Sequence, residues 1–343
     1  MSKKILTIGI PAYNVEKYLS ECLDSVINDE LEVLVINDGS TDSTEKIARE
    51  YEEKYPDIIR LINKKNGGWG SGVNLAIKEA KGKYFKNLDS DDTFDPEGLA
   101  ALIRNMHETD ADIFISPSLS RDDKSGVVYS THMPEGTIYN KLVPAEEMLN
   151  AVDSVFWMHC MAFKTDMLQQ NNVEIDECFY TDMELASYPL AYAKTTYAQP
   201  ESVYIYRTGR DGQSMSLKSL AKHMDDRERV TMSMLDRFQR YDRSEYFKKM
   251  VLVSIYSYLT QPFAITDVKE QMRWVEKFKV FKKEVIDIDS DLSDYSKYLL
   301  PARTLLKTNF KNYGAVASLW RFAKTKIAPL YHSYEQKKLR KGT

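Results

Sequence analysis

Between Ile5 and Pro117, short apolar runs alternate with stretches whose apolar residues recur every third or fourth position. The run at 5–10 ends on Pro11 and predicts a strand. Within 15–27, Tyr18, Leu19, Cys22, Leu23, Val26 and Ile27 share one helical stripe. Val33 to Ile36 are four aliphatics in a row, as in a parallel strand covered on both faces. The turn Asn37-Asp38-Gly39-Ser40 follows, then a helix start at Thr41 or Asp42 with Glu45 placed to close a capping box. The pattern places a third strand at 58–62, a third helix at 73–80 and a fourth strand at 83–88, which runs into Asp89-Ser90-Asp91-Asp92. Asp95 followed by Pro96 predicts an N-cap and first helical position, and 111–117 a fifth strand.

Such alternation predicts an α/β fold with a doubly wound, mostly parallel sheet, whose ligands lie beyond the carboxyl ends of the strands. The loops expected there, at 11–14, 37–40, 66–71 and 89–92, hold nearly all the unusual polar chemistry of this half. Three carboxylates within four positions repel one another, and a hard cation such as Mn²⁺ or Mg²⁺ relieves that repulsion; a solvated acidic turn is the plainer reading. Asp38, at a strand end, either accepts hydrogen bonds from a base or ribose or closes an Asx-type turn. The glycine-dense stretch from Asn66 to Gly72 permits close backbone approach to phosphate. It is not G-x-G-x-x-G in register and no Walker lysine follows, so neither dinucleotide nor P-loop binding is supported.

Together these stretches resemble the family 2 glycosyltransferases of the GT-A fold. The residues that carry the resemblance are Ile8-Gly9-Ile10-Pro11-Ala12-Tyr13-Asn14 with Tyr18-Leu19, and Val35-Ile36-Asn37-Asp38-Gly39-Ser40-Thr41-Asp42. Asn66-Gly67-Gly68, Asn74, Ala80-Lys81-Gly82-Lys83-Tyr84 and Leu88-Asp89-Ser90-Asp91-Asp92 continue it in order. It is dense to about Leu99 and sparse beyond. The resemblance implies a GT-A-type sheet and an inverting transfer of a hexose or N-acetylhexosamine from a UDP-sugar. The implied acceptor is a hydroxyl of a cell-surface glycan, polysaccharide or glycoprotein. Pro11, Ala12, Tyr13, Asp38, Asn66, Gly68 and Ser90 would bind the nucleotide-sugar, and Asp89 with Asp91 the Mn²⁺ or Mg²⁺. The family often has Arg-Asn where this chain has Val73-Asn74, so that arginine's contact must come from elsewhere, with Arg207 and Arg210 as candidates.

Further on, Phe179-Tyr180-Thr181-Asp182-Met183-Glu184-Leu185 resembles the family's Glu-Asp segment with Thr181 in place of the first acid, which makes Asp182 the expected general base ahead of Glu184. From position alone Asp182 serves equally as a helix N-cap. The loop carrying Arg207, Arg210, Gln213 and Ser214 suits a flap over a diphosphate or an anionic acceptor, since arginine matches phosphate bidentately. The organisation expected is a GT-A catalytic domain over 1–215 and a helical C-terminal region over 216–343. Within the first, 1–118 forms the nucleotide-sugar-binding half and 119–215 the acceptor and catalytic half. Two other readings stand beside this one. Asp89-x-Asp91-x-Thr93 matches the nucleophile motif of haloacid-dehalogenase-type phosphatases, although about three strands precede it here. The other is an inactive scaffold of a glycan-assembly complex, against which the intact Asp89, Asp91 and Asp182 speak.

Composition adds bounds. A net charge of −4 excludes a protein built to hold nucleic acid. From Pro301 onward, however, ten basic residues face one acid, and this tail reads either as a frayed solubilising end or as attracted to the inner membrane face. Residues 319–331 mix apolar and basic positions as interfacial helices do. Three cysteines make no disulfide framework, and no apolar run reaches the length of a membrane span, so a cytoplasmic location is expected. The aromatic-rich helical region reads most simply as a helical cap on the catalytic domain's core, and beside that as the surface of an expected homo-oligomer.

Overall fold

A computed structural model describes residues 4–130, 133–209, 216–240, 244–288, 310 and 312–322. They cluster into two compact units, Met1–Arg210 and Asp211–Thr343. In the first unit, β1 (Leu6–Ala12), β2 (Leu31–Asn37), β3 (Ile59–Asn63) and β4 (Tyr84–Asn87) form a parallel array in the order 3-2-1-4. Helices α1 (Leu19–Asp24), α2 (Thr44–Lys54) and α3 (Trp69–Glu79) connect them. Leu6, Ile8, Ile10, Val33, Val35 and Tyr84 are buried within it, which is why these strands read as continuous apolar runs.

After β5 (Thr93–Phe94) and α4 (Pro96–Glu108) come β6 (Ile113–Ile115), β7 (Ser118–Asp122), β8 (Val128–Ser130) and β9 (Leu142–Pro144). Then follow α5 (Ala145–Ala151), β10 (Met161–Lys164), α6 (Thr165–Gln170), α7 (Asp182–Ser187), β11 (Thr195–Ala198) and β12 (Tyr204–Thr208). The large sheet continues past β4 as β10-β6-β11-β9, and β10 enters it antiparallel to both neighbours. A second sheet, β5-β12-β7-β8, lies apart from it. The fold is therefore α/β with a parallel nucleus and a mixed flank. Asp95 caps α4 as expected, its side chain accepting from the Gly98 amide.

Several boundaries moved for identifiable reasons. β1 does not stop at Pro11. Gly9 turns its carbonyl toward Leu88, and the residue two further on faces the same way, but β4 has ended there. The missing proline N–H therefore points where no ladder partner is required. α2 starts at Thr44, without the Glu45 capping box. Asp42 accepts from the Thr44 and Glu16 amides, while Glu45 binds Arg49 and Asn63. The stripe at 15–27 yields only the short α1, preceded by a turn in which the Tyr18 amide bonds to the Val15 carbonyl. α3 begins at Trp69, four residues before the expected Val73, because Gly68 takes φ 88° and turns the chain into the helix.

The second unit is helical: α8 (Leu217–Lys222), α9 (Met224–Arg240), α10 (Glu245–Thr260), α11 (Val268–Ile288) and α12 (Tyr313–Phe322). Its core is aromatic, with Tyr258 edge-on to Phe278 at 4.9 Å and to Phe281 at 5.1 Å. The Arg321 guanidinium binds the Phe263 and Ile265 carbonyls and Trp320 packs on Phe263, so both face their own unit; Leu319 is exposed. The rest of the basic tail lies outside the described residues. No described helix is long and apolar enough to cross a membrane.

Candidate functional site

The chain leaves β1, β2 and β4 at one end of the sheet, at Ala12, Asn37 and Asn87, and the polar loops gather there. Asp38 is buried and fastens the glycine-rich loop. One carboxylate oxygen accepts from Lys64 Nζ at 2.7 Å and from the Gly67 amide at 2.9 Å; the other accepts from the Gly68 amide at 2.8 Å. The Asn66 side chain returns a bond to the Asp38 carbonyl, and Lys64 also reaches Ser71. Pro11 and Ala12 are buried under this loop, whereas Tyr13 stays half exposed, a ring open to stacking. Asn14 holds φ 52°, a left-handed conformation asparagine tolerates, and its side chain accepts from the Thr41 amide.

The acidic loop is more tightly built than its sequence suggests. Asp89 accepts on Oδ1 from Trp69 Nε1 at 2.8 Å and from Asn87 Nδ2 at 3.1 Å, leaving Oδ2 with no hydrogen bond among the described residues. Burial, then the charge of Asp91, pushes the Asp89 carboxyl up to about 7, and Asp182 adds to the rise. Ser90 and Asp92 are buried. The Asp92 carboxylate receives the Tyr204 hydroxyl and the Arg207 amide, both at 2.7 Å. Burial and the neighbouring Asp91 and Asp89 hold its carboxyl well above the usual range. Asp91, by contrast, is partly open to solvent.

Arg207 is buried beneath this loop. Its Nε donates to the Asp91 carbonyl at 2.7 Å, one terminal nitrogen pairs with Asp123 at 2.6 Å, and the other pairs with Glu21. The guanidinium also covers the Tyr18 ring at 5.0 Å. Those three bonds brace the acidic loop, a role the sequence did not reveal. Arg207→Met is expected to cost about 1–3 kcal/mol, since it removes the donor to the Asp91 carbonyl and the ion pair of the partly buried Asp123, while Glu21, half exposed, keeps Arg121. Arg207→Lys should recover only part, because an ammonium cannot serve three separate acceptors along a planar fork. Urea unfolding of the three proteins tests this; a Met variant as stable as wild type would refute the brace.

The second-half acids arrive on a segment pinned to α3. Asn74 exchanges two hydrogen bonds with the Ile175 backbone, and Gly70 lets the Asp176 carbonyl lie where a Cβ would stand 2.0 Å from it. Glu184 is fully buried and structural, accepting from the Asp176 amide and the Tyr188 hydroxyl. Asp182 is the first residue of α7, behind Thr181 at the N-cap position, so it does not cap the helix itself. It stays partly exposed, and Tyr180 just before it holds φ 71°, a strained backbone that aims the segment. The charge of Asp182 is felt at Asp89, which brings the expected base and the expected cation ligand to one site. Arg210, Gln213 and Ser214 lie outside the described residues. Sequence reasoning overlooked Lys64, Trp69 and Tyr204; only the alternation of Tyr204 and Tyr206 along a strand could have pointed to one of them.

The family model described as "Glycosyl transferase family 2" matches residues 7–170. The minor teichoic acid biosynthesis protein GgaB of Bacillus subtilis (strain 168) is 27% identical over 316 residues, which is 88% of this chain and 32% of the relative. The poly(ribitol-phosphate) beta-glucosyltransferase of Bacillus spizizenii is 29% identical over 222 residues, 62% of this chain and 33% of the relative. The chain thus spans about a third of the length of both. Among solved structures, S. aureus TarS 1-349 in complex with UDP-GlcNAc superposes with a TM-score of 0.61 at 22% identity, covering 92% of this chain and 91% of that one. That likeness is one of fold.

Proposed function

Because residues 7–170 belong to glycosyl transferase family 2, we propose that the chain is a metal-dependent inverting glycosyltransferase. It moves a hexose or N-acetylhexosamine from a UDP-sugar to an acceptor hydroxyl. Among cell-surface glycans, polysaccharides and glycoproteins, the names of the two relatives favour a teichoic-acid-type polymer as acceptor. The observation that supports the reading is the gathering of the Asp38 loop and the Asp89–Asp92 loop at the carboxyl ends of the parallel strands, with the charge of Asp182 acting on Asp89. A phosphatase of the haloacid-dehalogenase type is disfavoured, since the acidic motif follows the fourth strand rather than the first.

The residues suit a hard cation. Asp89 keeps Oδ2 unbonded among the described residues and Asp91 is partly open; burial first, and then repulsion from Asp91, lifts Asp89 to about 7, and a cation would relieve the second of these. Asp89 and Asp91 are the two residues that would hold such an ion, with the donor's diphosphate as the remaining source of oxygens. When bound there, a divalent ion offsets charge building on the departing nucleoside diphosphate. Asp182 accepts the proton of the acceptor hydroxyl. That oxygen forms its bond to the anomeric carbon from the face opposite the diphosphate, whose bond to that carbon breaks. Tyr13, the buried Pro11 and Ala12, Asp38 and the loop it fastens, including Asn66 and Gly68, shape the nucleotide side, with Ser90 beside the acids.

The test is UDP release from a panel of UDP-sugars with Mn²⁺ and then with EDTA. One donor should turn over, EDTA should abolish its turnover, and Asp91→Ala should lower it about 100-fold through the lost cation contact. If no donor turns over and UDP does not bind with Mn²⁺, the reading fails.

A further inference from the structure

β12 alternates its side chains between two environments. Arg207 goes beneath the acidic loop, while Tyr204 and Tyr206, two residues apart, share the opposite face. Tyr204 is buried, and its hydroxyl bonds to the Asp92 carboxylate while accepting the Asp89 amide. Tyr206 stands one step further along the same face. It is only partly buried, and its hydroxyl makes no hydrogen bond with any described residue. Its ring lies stacked on His159, centroids 6.2 Å apart and planes 15° from parallel. His159 is a fixed wall. Burial, and then Lys86, brings its imidazole down to about 4, so it stays neutral, and its carbonyl is gripped at 2.8 Å by the buried Lys86 ammonium.

This ring is therefore held from behind while its polar end is left unused. The phenol O–H is bonded to no described residue and is not sealed from solvent, so something else can take up the bond. Its surroundings say what that something is. After burial, the charges of Asp92, Asp89, Asp91 and Asp182 all raise the Tyr206 hydroxyl, so it lies within reach of both the cation side and the base side of the site. In an inverting transfer the diphosphate occupies the first side and the acceptor hydroxyl the second. The group between them is the sugar in transit.

We propose that Tyr206 contacts the transferred sugar, donating its phenol O–H to one hydroxyl of the donor pyranose and so helping to set which sugar is accepted. The proposal rests on the glycosyltransferase reading and deepens it. A carboxylate at that place would compete for the cation, whereas a neutral phenol donates without doing so. Because the contact involves the sugar and not the nucleotide, free UDP does not sense it.

The experiment compares wild type with Tyr206→Phe, which keeps the ring stacked on His159 and removes only the hydroxyl. UDP affinity in Mn²⁺ is measured alongside kcat/KM for UDP-glucose and UDP-GlcNAc and for the 3-, 4- and 6-deoxy forms of whichever is used. Tyr206→Phe should lower kcat/KM about 10- to 100-fold while UDP affinity holds within twofold. Removing one particular hydroxyl from the donor should cost the wild type a similar factor and cost the variant almost nothing more, since the bond is already gone. The proposal is overturned if UDP affinity falls in parallel with turnover, which marks a structural role. It is overturned equally if the variant discriminates against every deoxy donor as strongly as wild type does. A wild-type chain that turns over no UDP-sugar of the panel and does not bind UDP with Mn²⁺ overturns the parent reading itself, and this one with it.

Discussion

Asp182→Asn is expected to lower sugar transfer about 10²- to 10⁴-fold, the range a positioned general base contributes, while UDP still binds. The amide keeps the shape of the carboxylate at the first position of α7 and removes its ability to accept a proton. Stability should fall by no more than about 0.3–1 kcal/mol, the usual worth of a negative charge near a helix N-terminus. Glu184→Gln is the informative contrast. Its carboxylate is fully buried, one oxygen accepting from the Asp176 amide and the other from Tyr188. An amide there can turn only one acceptor toward two donors, so the loss should appear in stability before chemistry. Turnover, UDP titration and thermal unfolding on the two variants separate the roles. If Asp182→Asn keeps turnover within threefold of wild type, Asp182 is not the base.

Gly70→Ala should be nearly as damaging, for a reason located away from any ligand. A Cβ at Gly70 would stand 2.0 Å from the Asp176 carbonyl oxygen and 3.0 Å from its carbon, both backbone atoms with nowhere cheap to go. Either α3 or the segment through Asp176 must shift. That segment is tied at Ile175 to Asn74 and at Asp176 to Glu184, so the displacement carries toward α7 and Asp182. Overpacking of this kind costs about 1–3 kcal/mol. A base moved by about 1 Å can lose 10²-fold in rate. Steady-state kinetics with thermal unfolding on Gly70→Ala would show both; wild-type turnover in a protein of unchanged stability would mean the contact relaxes freely.

The chain showed its parallel nucleus plainly because both faces of β1 and β2 are largely buried and most of their residues are accordingly apolar. It also showed Asp95 as a cap, since that signal is local. The start of α2 was misplaced because Asp42 and Glu45 find their partners in Glu16 and Asn63, residues remote in sequence. The glycines of 66–72 were legible as a cluster but not in purpose. Gly68 is there for its backbone angle, while Gly70 is there because another segment crosses it. Arg207 was assigned by its charge to a phosphate, and its partners Glu21 and Asp123 lie far away along the chain. Lys64 carried no signal at all, and Tyr204 only its alternation with Tyr206, because a tyrosine in a strand and a lysine in a loop are ordinary until their neighbours are known.

The brace made by Arg207 bears on where the chain could be trimmed. The match to the family ends at Gln170, and a fragment cut there would look complete by that match alone. Such a fragment would lack Asp182, the hydroxyl of Tyr204 on Asp92 and the clamp on Asp91, and would expose the edges of β6 and β7 where β11 and β12 had paired. The smallest self-sufficient piece of the first unit therefore runs through Thr208, so that the last strand acts as the keystone of a site whose recognisable parts all come earlier.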